Sequence, residues 1–182
     1  ALGVVDFGIH NVVAGVVVLF SFLNPALMNA SQRYLSIAVD AKDEDDIQGV
    51  FSTCMLLHLL LCFILVVLAE TVGLWFLNEQ LSIPSERLTA ANWVYQSAIL
   101  STGINVMRAP YHSMIIAEED MSFFAYLSIV ETILKLVIAY LITVFTCDRL
   151  ITYSVLLFIV TLLVCFIYAY KCHKSYSLAL SF

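Results

Sequence analysis

The sequence predicts an all-α polytopic membrane protein with five transmembrane helices, and three observations carry that reading. Of the 182 residues, 62% are hydrophobic and only 12% are charged, with a mean hydropathy of +0.97. The apolar residues gather into five runs, each about the 20 residues that cross a bilayer core as a helix. The connections between runs are short, with no internal repeat and no low-complexity tract. A water-soluble domain does not have this composition.

Taken in order, the runs lie near 9–28, 51–77, 91–117, 123–145 and 150–170. The first is polar and breakable for a membrane helix: Asn11, Gly15, Asn24 and Pro25 interrupt it, which suits a helix facing a cavity and marks Pro25 as a kink. The second carries His58 and, towards its far end, Glu70. The third carries Arg108, Pro110 and His112, and the fourth Glu131 and Lys135. The fifth carries no charged residue. Trp75 and Trp93 flank one connection and so share a membrane face, as an interfacial aromatic belt requires.

The connections, near 29–50, 78–90, 118–122 and 146–149, read as structural. The acids between Asp40 and Asp46 precede the second run, where they complement the positive end of a helix dipole. A calcium loop would need a Gly turn and a terminal Glu that this run lacks. Ser82-Ile-Pro-Ser reads as a helix start, with a capping hydroxyl and an early proline. Lys and Arg set membrane orientation. Arg33, Lys42, Lys171 and Lys174 fall on one side and Arg87 and Arg149 on the other, so the chain start is expected outside and its end in the cytoplasm. The chain opens on Ala-Leu-Gly without a basic stretch and cleavage site, so no signal peptide is expected, and it reads as a piece of a larger integral protein.

Several function classes recede. A net charge of −6 without basic clusters argues against a nucleic-acid partner. The five cysteines lack CxxC spacing, and Cys54, Cys62 and Cys165 inside the runs read as small packing residues. Neither a metal site nor a cofactor is expected. Motifs of hydrolases, zinc proteases, nucleotide-binding loops and acyltransferases are missing, so the chain reads as a non-enzyme.

Charges inside a bilayer cost several kcal/mol unless paired or facing a wet cavity, which makes them the default functional candidates. Measured from the expected cytoplasmic ends, His58 lies about 10 Å deep, Glu131 about 12 Å, Arg108 about 13 Å and Lys135 about 18 Å. Glu131 and Lys135 are spaced i,i+4 on one helix face in the favourable order. Arg108 lies on the neighbouring antiparallel run, within reach of Glu131. Two readings follow: Glu131 simply neutralises these cations and holds helices together, or the layer lines a substrate or ion path. His58 serves equally as a helix contact or a proton site, His112 reads as structural, and Glu70 is close enough to the interface to snorkel. Pro110 removes a backbone hydrogen bond and should kink the third run, a feature found beside translocation paths and also where it only improves packing.

A family resemblance enters here. Leu2-Gly-Val-Val-Asp-Phe-Gly8 followed by Asn11-Val-Val-Ala-Gly15 resembles the second transmembrane helix of Wzx-type polysaccharide and O-antigen flippases, members of the MOP (MATE-like) exporter superfamily. Ser31-Gln-Arg-Tyr-Leu-Ser36, Glu70-Thr-Val-Gly-Leu-Trp-Phe-Leu-Asn78, Ala91-Asn-Trp-Val-Tyr-Gln96, Ala109-Pro-Tyr-His-Ser-Met-Ile-Ile-Ala-Glu118 and Ile129-Val-Glu-Thr-Ile-Leu-Lys135 continue it in order. The resemblance implies helices two to six of the N-terminal lobe of a 12-helix, two-lobe transporter, with the first helix and second lobe as its missing partners. It implies flipping of an undecaprenyl-pyrophosphate-linked oligosaccharide across the bacterial inner membrane, for lipopolysaccharide or capsule synthesis, coupled to H+ or Na+. Arg108 and Lys135 would then attract the headgroup, Glu131 and secondarily His58 would respond to the coupling ion, and Pro110 and Pro25 would serve as gating kinks. Arg108 and His112 depart from the family pattern. The rival readings are a drug/cation antiporter or the peptidoglycan-precursor flippase of the same superfamily, a membrane-embedded glycan-assembly enzyme, and a structural subunit. Cationic cargo conflicts with Arg108 and Lys135, an enzyme usually carries larger loops, and a scaffold gains nothing from mid-membrane charge.

Overall fold

The computed structural model describes residues 7–8, 10–13, 15, 17, 21–42, 44–80, 87–143 and 148–175. The described elements are all helical, with no strand among the described residues. Helical backbone at the described positions between 7 and 17 leads to a 3-10 turn, Ser21–Leu23, and then to helix α1, Asn24–Ala41. Pro25 sits in the first turn of α1, where a missing N–H leaves no hydrogen bond unmade. The break expected at Asn24-Pro25 is therefore a helix start following a 3-10 turn.

The first connection differs most from expectation. Residues 29–41 are helical and not a loop, because α1 is amphipathic: Ser31, Leu35 and Ala38 are buried at helical spacing while Arg33 and Tyr34 face outward. Hydropathy alone does not register such a helix. It ends at Lys42, whose φ of 57° places it in the left-handed region and whose N–H bonds to the Val39 carbonyl at 3.1 Å. Helix α2, Glu44–Leu68, begins at once, with Asp45 and Asp46 in its first turn beside the positive dipole end.

Beyond Leu68 the backbone widens into two π-helical turns, Ala69–Gly73 and Phe76–Gln80. The Ala69 carbonyl explains the first. It takes the Leu74 amide in i→i+5 register and also accepts the Tyr95 hydroxyl, 2.7 Å away, from the neighbouring helix. That helix, α3, spans Leu88–Ala117, about 45 Å at 1.5 Å per residue. It starts without a side-chain cap, and the Ser82–Ser85 cap expected from sequence lies outside the described residues. Pro110 sits inside α3, buried, and the helix continues through it. Glu119, at φ 57°, turns the chain, and Asp120 caps α4, Met121–Leu141, by accepting from the Phe123 amide at 3.3 Å. Helix α5, Arg149–Ser175, starts where the Asp148 carboxylate accepts from the Leu150 amide at 3.1 Å.

Three helices among the described residues are long and apolar enough to cross a membrane: Asp45–Gly73, Met121–Leu141 and Arg149–Ser175. The first expected span falls partly on residues outside those described. The third, α3, is long enough but too polar to be recognised by composition, with Asn92, Gln96, Ser101, Asn105 and Arg108 along its length. The bundle accommodates it at the centre. α3 packs on α5, α1 and α2 and buries residues from Ala90 to Ala117, whereas α4 buries only Leu127 and Ile138. Leu60 and Phe63 of α2, and Ile133, Leu136 and Tyr140 of α4, are exposed on the outside, the arrangement a lipid solvent favours.

Two apolar clusters hold the bundle. One gathers Val13, Val17, Ala69, Leu77, Tyr95, Ile99 and Leu150 near the end where α2 leads to α3. The other gathers Leu35, Met114, Ile115, Leu127, Val164 and Tyr168 where α3 leads to α4 and continues along α4 to Ile138 and Ile142. Along α3 the interval between them is the stretch that carries Ser101 to Arg108. Hydrogen bonds between helices add to this packing: Tyr95 to the Ala69 carbonyl, Ser113 to the Met28 carbonyl at 3.3 Å, and the Cys172 thiol to the Tyr111 carbonyl at 3.5 Å. Gly103 allows the close approach of α2, since an added Cβ would lie 3.3 Å from the Cys62 sulfur. Tyr95→Phe removes one such bond at unchanged shape and is expected to cost about 0.6–1.7 kcal/mol, read as a lower midpoint when the purified protein is unfolded by SDS in mixed micelles; an unchanged midpoint would show that the hydroxyl does not hold α2 to α3.

Candidate functional site

Glu131 is the hub of the polar layer. One carboxylate oxygen accepts from the Arg108 guanidinium at 3.1 Å, and the other from the Lys135 ammonium at 2.6 Å. The i,i+4 spacing on α4 places Lys135 one turn beyond Glu131 on the same face. The antiparallel passage of α3 beside α4 brings Arg108 level with Glu131. Arg108 and Glu131, which the sequence puts at nearly one depth, thus form a single network with Lys135, one helical turn deeper; His58, expected at the same level, is not joined to it by any described bond. Its formal charge is +1: two cations against one carboxylate. The Arg108 and Glu131 side chains retain 21% and 19% of their exposure and Lys135 retains 48%, so the ammonium is the open end of the network and the Arg–Glu pair its enclosed end.

The enclosed end is padded by aromatic rings. The Arg108 guanidinium carbon lies 5.5 Å from the ring centroid of Tyr168 on α5, within the range of a cation–π contact. Tyr168 is itself buried. One turn along α3, His112 packs edge-on against Phe124, with centroids 5.0 Å apart, and leans on the same Tyr168 ring at 5.9 Å. His112 thus borders the network as a packing residue, as sequence suggested, although its buried Nδ1 has no hydrogen-bond partner among the described residues. Tyr168 has no polar signature in the sequence that sets it apart from the other aromatics of the fifth run. It is recognisable only once α5 is seen against α3.

His58 stands elsewhere. It is fully buried on α2, its Nδ1 2.8 Å from the Cys54 carbonyl one turn back, which makes Nδ1 the protonated nitrogen. Its Nε2 is buried without a hydrogen-bond partner among the described residues. No hydrogen bond or ion pair described joins it to Arg108, Glu131 or Lys135. The structure brings together three of the four charged or titratable candidates and leaves His58 apart. Glu70, expected to snorkel, instead accepts from Gln96 of α3 at 3.3 Å. Pro110 lies half a turn from Arg108 on the helix that positions it, and Pro25 lies at the start of α1.

Beside the ammonium of Lys135 lies a feature that the sequence reading missed. A cavity of about 330 Å³ opens between α3 and α5, closed by Lys135 of α4 and by His10 and Val17 of the first helical run. Its wall is rich in hydroxyls: Ser97, Ser101 and Thr102 from α3, and Tyr153, Ser154 and Thr161 from α5. The signal was present as spacing, since Ser97 and Ser101 are i,i+4 and Ser154 and Thr161 are i,i+7, each pair on one helix face. Nothing in either run says that the two faces meet.

Both ends of the bundle are clasped by ion pairs. Arg87 meets Asp148 at 2.9 Å where α3 and α5 begin, and Lys171 meets Asp120 at 2.9 Å while lying 5.2 Å from the Phe123 ring. No protein-family model, curated protein or solved structure matches the chain. The geometry alone therefore describes the site.

Because Glu131 serves two cations, its loss strands both. Glu131→Gln is expected to lower stability by about 1.5–3 kcal/mol, the scale of hydrogen bonds to charged groups. Arg108→Gln in the Glu131→Gln background is expected to cost much less than Arg108→Gln alone. Unfolding midpoints of the four proteins of this cycle check it; strict additivity would mean that the two side chains are not coupled.

Proposed function

We propose that this chain is the membrane-embedded, substrate-facing part of a flippase for a polyprenyl-pyrophosphate-linked oligosaccharide, as its resemblance to Wzx-type flippases implies. The observation that carries the reading is the net-positive Arg108–Glu131–Lys135 network opening onto a hydroxyl-lined cavity within a bundle of membrane-spanning helices. A lipid headgroup that carries both phosphate charge and sugar hydroxyls needs these two surfaces side by side. In this reading the described helices and the first run make five spans of one lobe of a MATE-like transporter in the bacterial inner membrane, with α3 shielded from lipid by its neighbours. The ends of α1 and α5 face the cytoplasm.

The chemistry follows from the network. Arg108 is held by Glu131 and Tyr168 and sets the positive potential. Lys135, half-exposed, is the group that reaches the pyrophosphate. Glu131 bridges the two, so protonating it, or drawing it towards a cation, would release Lys135 and Arg108 to the substrate anion together. That gives a carboxylate one role in coupling an ion gradient to substrate binding. His58 is a secondary coupling candidate on a separate helix face. Pro110 weakens α3 beside Arg108, where a change in helix bend would move the guanidinium relative to Glu131.

In cells deleted for the gene, lipid-linked oligosaccharide is expected to accumulate on the cytoplasmic leaflet and surface glycan to disappear, both restored by the wild-type gene. Glu131→Gln is expected to fail this complementation while remaining in the membrane, and Lys135→Arg to retain part of it. Normal glycan display in the deletion strain, with loss of efflux of a cationic dye, would instead favour the antiporter branch.

A further inference from the structure

We propose that the cavity beside Lys135 is a sugar-binding subsite whose hydroxyl wall reads ring hydroxyls and leaves the phosphates to its Lys135 edge; this rests on the flippase reading and assigns the substrate's two chemistries to different side chains. Each serine or threonine hydroxyl has one proton and two acceptor lone pairs. For four of the six wall hydroxyls the protons are already committed to the helix backbone. Ser97 donates to the Trp93 carbonyl at 2.8 Å, Ser101 to the Ser97 carbonyl at 2.7 Å, Ser154 to the Leu150 carbonyl at 3.0 Å and Thr161 to the Leu157 carbonyl at 3.0 Å. Every one is the i−4 back-bond open to such residues in helices. What these hydroxyls offer the cavity is lone pairs, from two facing helices.

An acceptor-lined wall selects its ligand by hydrogen-bond polarity. A phosphate has oxygen acceptors and, when ionised, nothing to donate, so placed against these four hydroxyls it would set lone pair against lone pair, and its donors lie at the Lys135 edge of the cavity. A small cation would find acceptors, but the ammonium of Lys135 lines the same cavity and the network behind it carries a net positive charge. A neutral ring bearing several O–H groups has the complementary donors. Lys135 gives one of its three donors to Glu131 and, at the cavity edge, is the donor for an acceptor on the ligand. Tyr153, packed on His10 with centroids 5.1 Å apart, adds an aromatic surface for the apolar face of such a ring. The volume, about 330 Å³, lies at the lower end of ligand-sized cavities, about 300–1,000 Å³, and suits one sugar rather than a chain of them. Thus the sugar nearest the pyrophosphate occupies the hydroxyl cavity, and the pyrophosphate lies at its Lys135 edge.

The test compares two probes on the full chain in nanodiscs: undecaprenyl pyrophosphate, and the same lipid carrying one N-acetylhexosamine. Wild type is expected to bind the glycosylated lipid more tightly. The double variant Ser101→Ala/Thr161→Val, close to isosteric, is expected to lose that preference by about tenfold, the scale of one to two hydrogen bonds, while still binding the sugarless lipid. Ser97→Thr and Thr161→Ser keep the hydroxyls and should keep the preference. Lys135→Gln should weaken both lipids together. Retention of the sugar preference in the double variant overturns the subsite and leaves the flippase reading standing. Equal loss of both lipids in that variant, or lost preference in the hydroxyl-retaining variants, also overturns it. Wild type that binds neither lipid above a phosphatidylglycerol control defeats the flippase reading itself, and the subsite with it.

Discussion

A polar helix cannot face hydrocarbon, and the rest of this structure is arranged around that constraint. α3 carries amides, hydroxyls and a guanidinium along a length of about 45 Å. Each such group left unsatisfied in a bilayer costs several kcal/mol. The bundle answers by placing α3 at its centre, with α1, α2 and α5 packed around it. The apolar burden passes to the outer helices: α2, α4 and α5 meet the length and composition of a membrane span, and their large exposed residues are mostly leucine, isoleucine, phenylalanine and valine. An apolar exterior around a partly polar central helix departs from the order of a water-soluble domain.

Within that interior the charges are neither scattered nor fully neutralised. Two apolar clusters pack the bundle, and the Arg108–Glu131–Lys135 network lies beside the second, whose Tyr168 it touches. A scaffold would gain more from a leucine at any of the three positions, since replacing buried ion pairs by packed hydrophobes is often neutral or stabilising. Retaining two cations for one carboxylate, with the second cation half-exposed at a hydroxyl-lined cavity, makes sense if an anion or a polar ligand visits. Glu131 offsets the charge of both cations, and Tyr168 gives Arg108 a second, uncharged partner.

The proline and glycine positions show how local chemistry and packing share control. Pro25 acts where helix physics lets it act without cost, at a helix start. Pro110 sits mid-helix, where it removes a backbone bond, and is tolerated because α3 is packed on several sides. Gly103 permits α2 to approach α3 near Cys62. The π-turn at Ala69 arises the same way: the neighbouring Tyr95 supplies a second donor to a carbonyl that the α-helical register would otherwise satisfy alone.

Much of the architecture was legible in the residues, because hydropathy over about 20 residues and i,i+4 spacing are local properties of a chain. They identified α2, α4 and α5, the Glu131–Lys135 pair, and the level at which Arg108 would meet it. They misjudged residues 29–41, whose amphipathic periodicity is helical without being apolar. The location of His58 relative to the network was decided by the rotation of α2 about its own axis. So was the meeting of the Ser97–Ser101 and Ser154–Thr161 faces across one cavity, through the rotations of α3 and α5. A helix's hydrophobic content sets that it is buried or spans, but its azimuth depends on packing against neighbours remote in sequence. Composition determined that this chain belongs in a membrane and where its charges sit along each helix; tertiary packing alone decided which of those charges share a site.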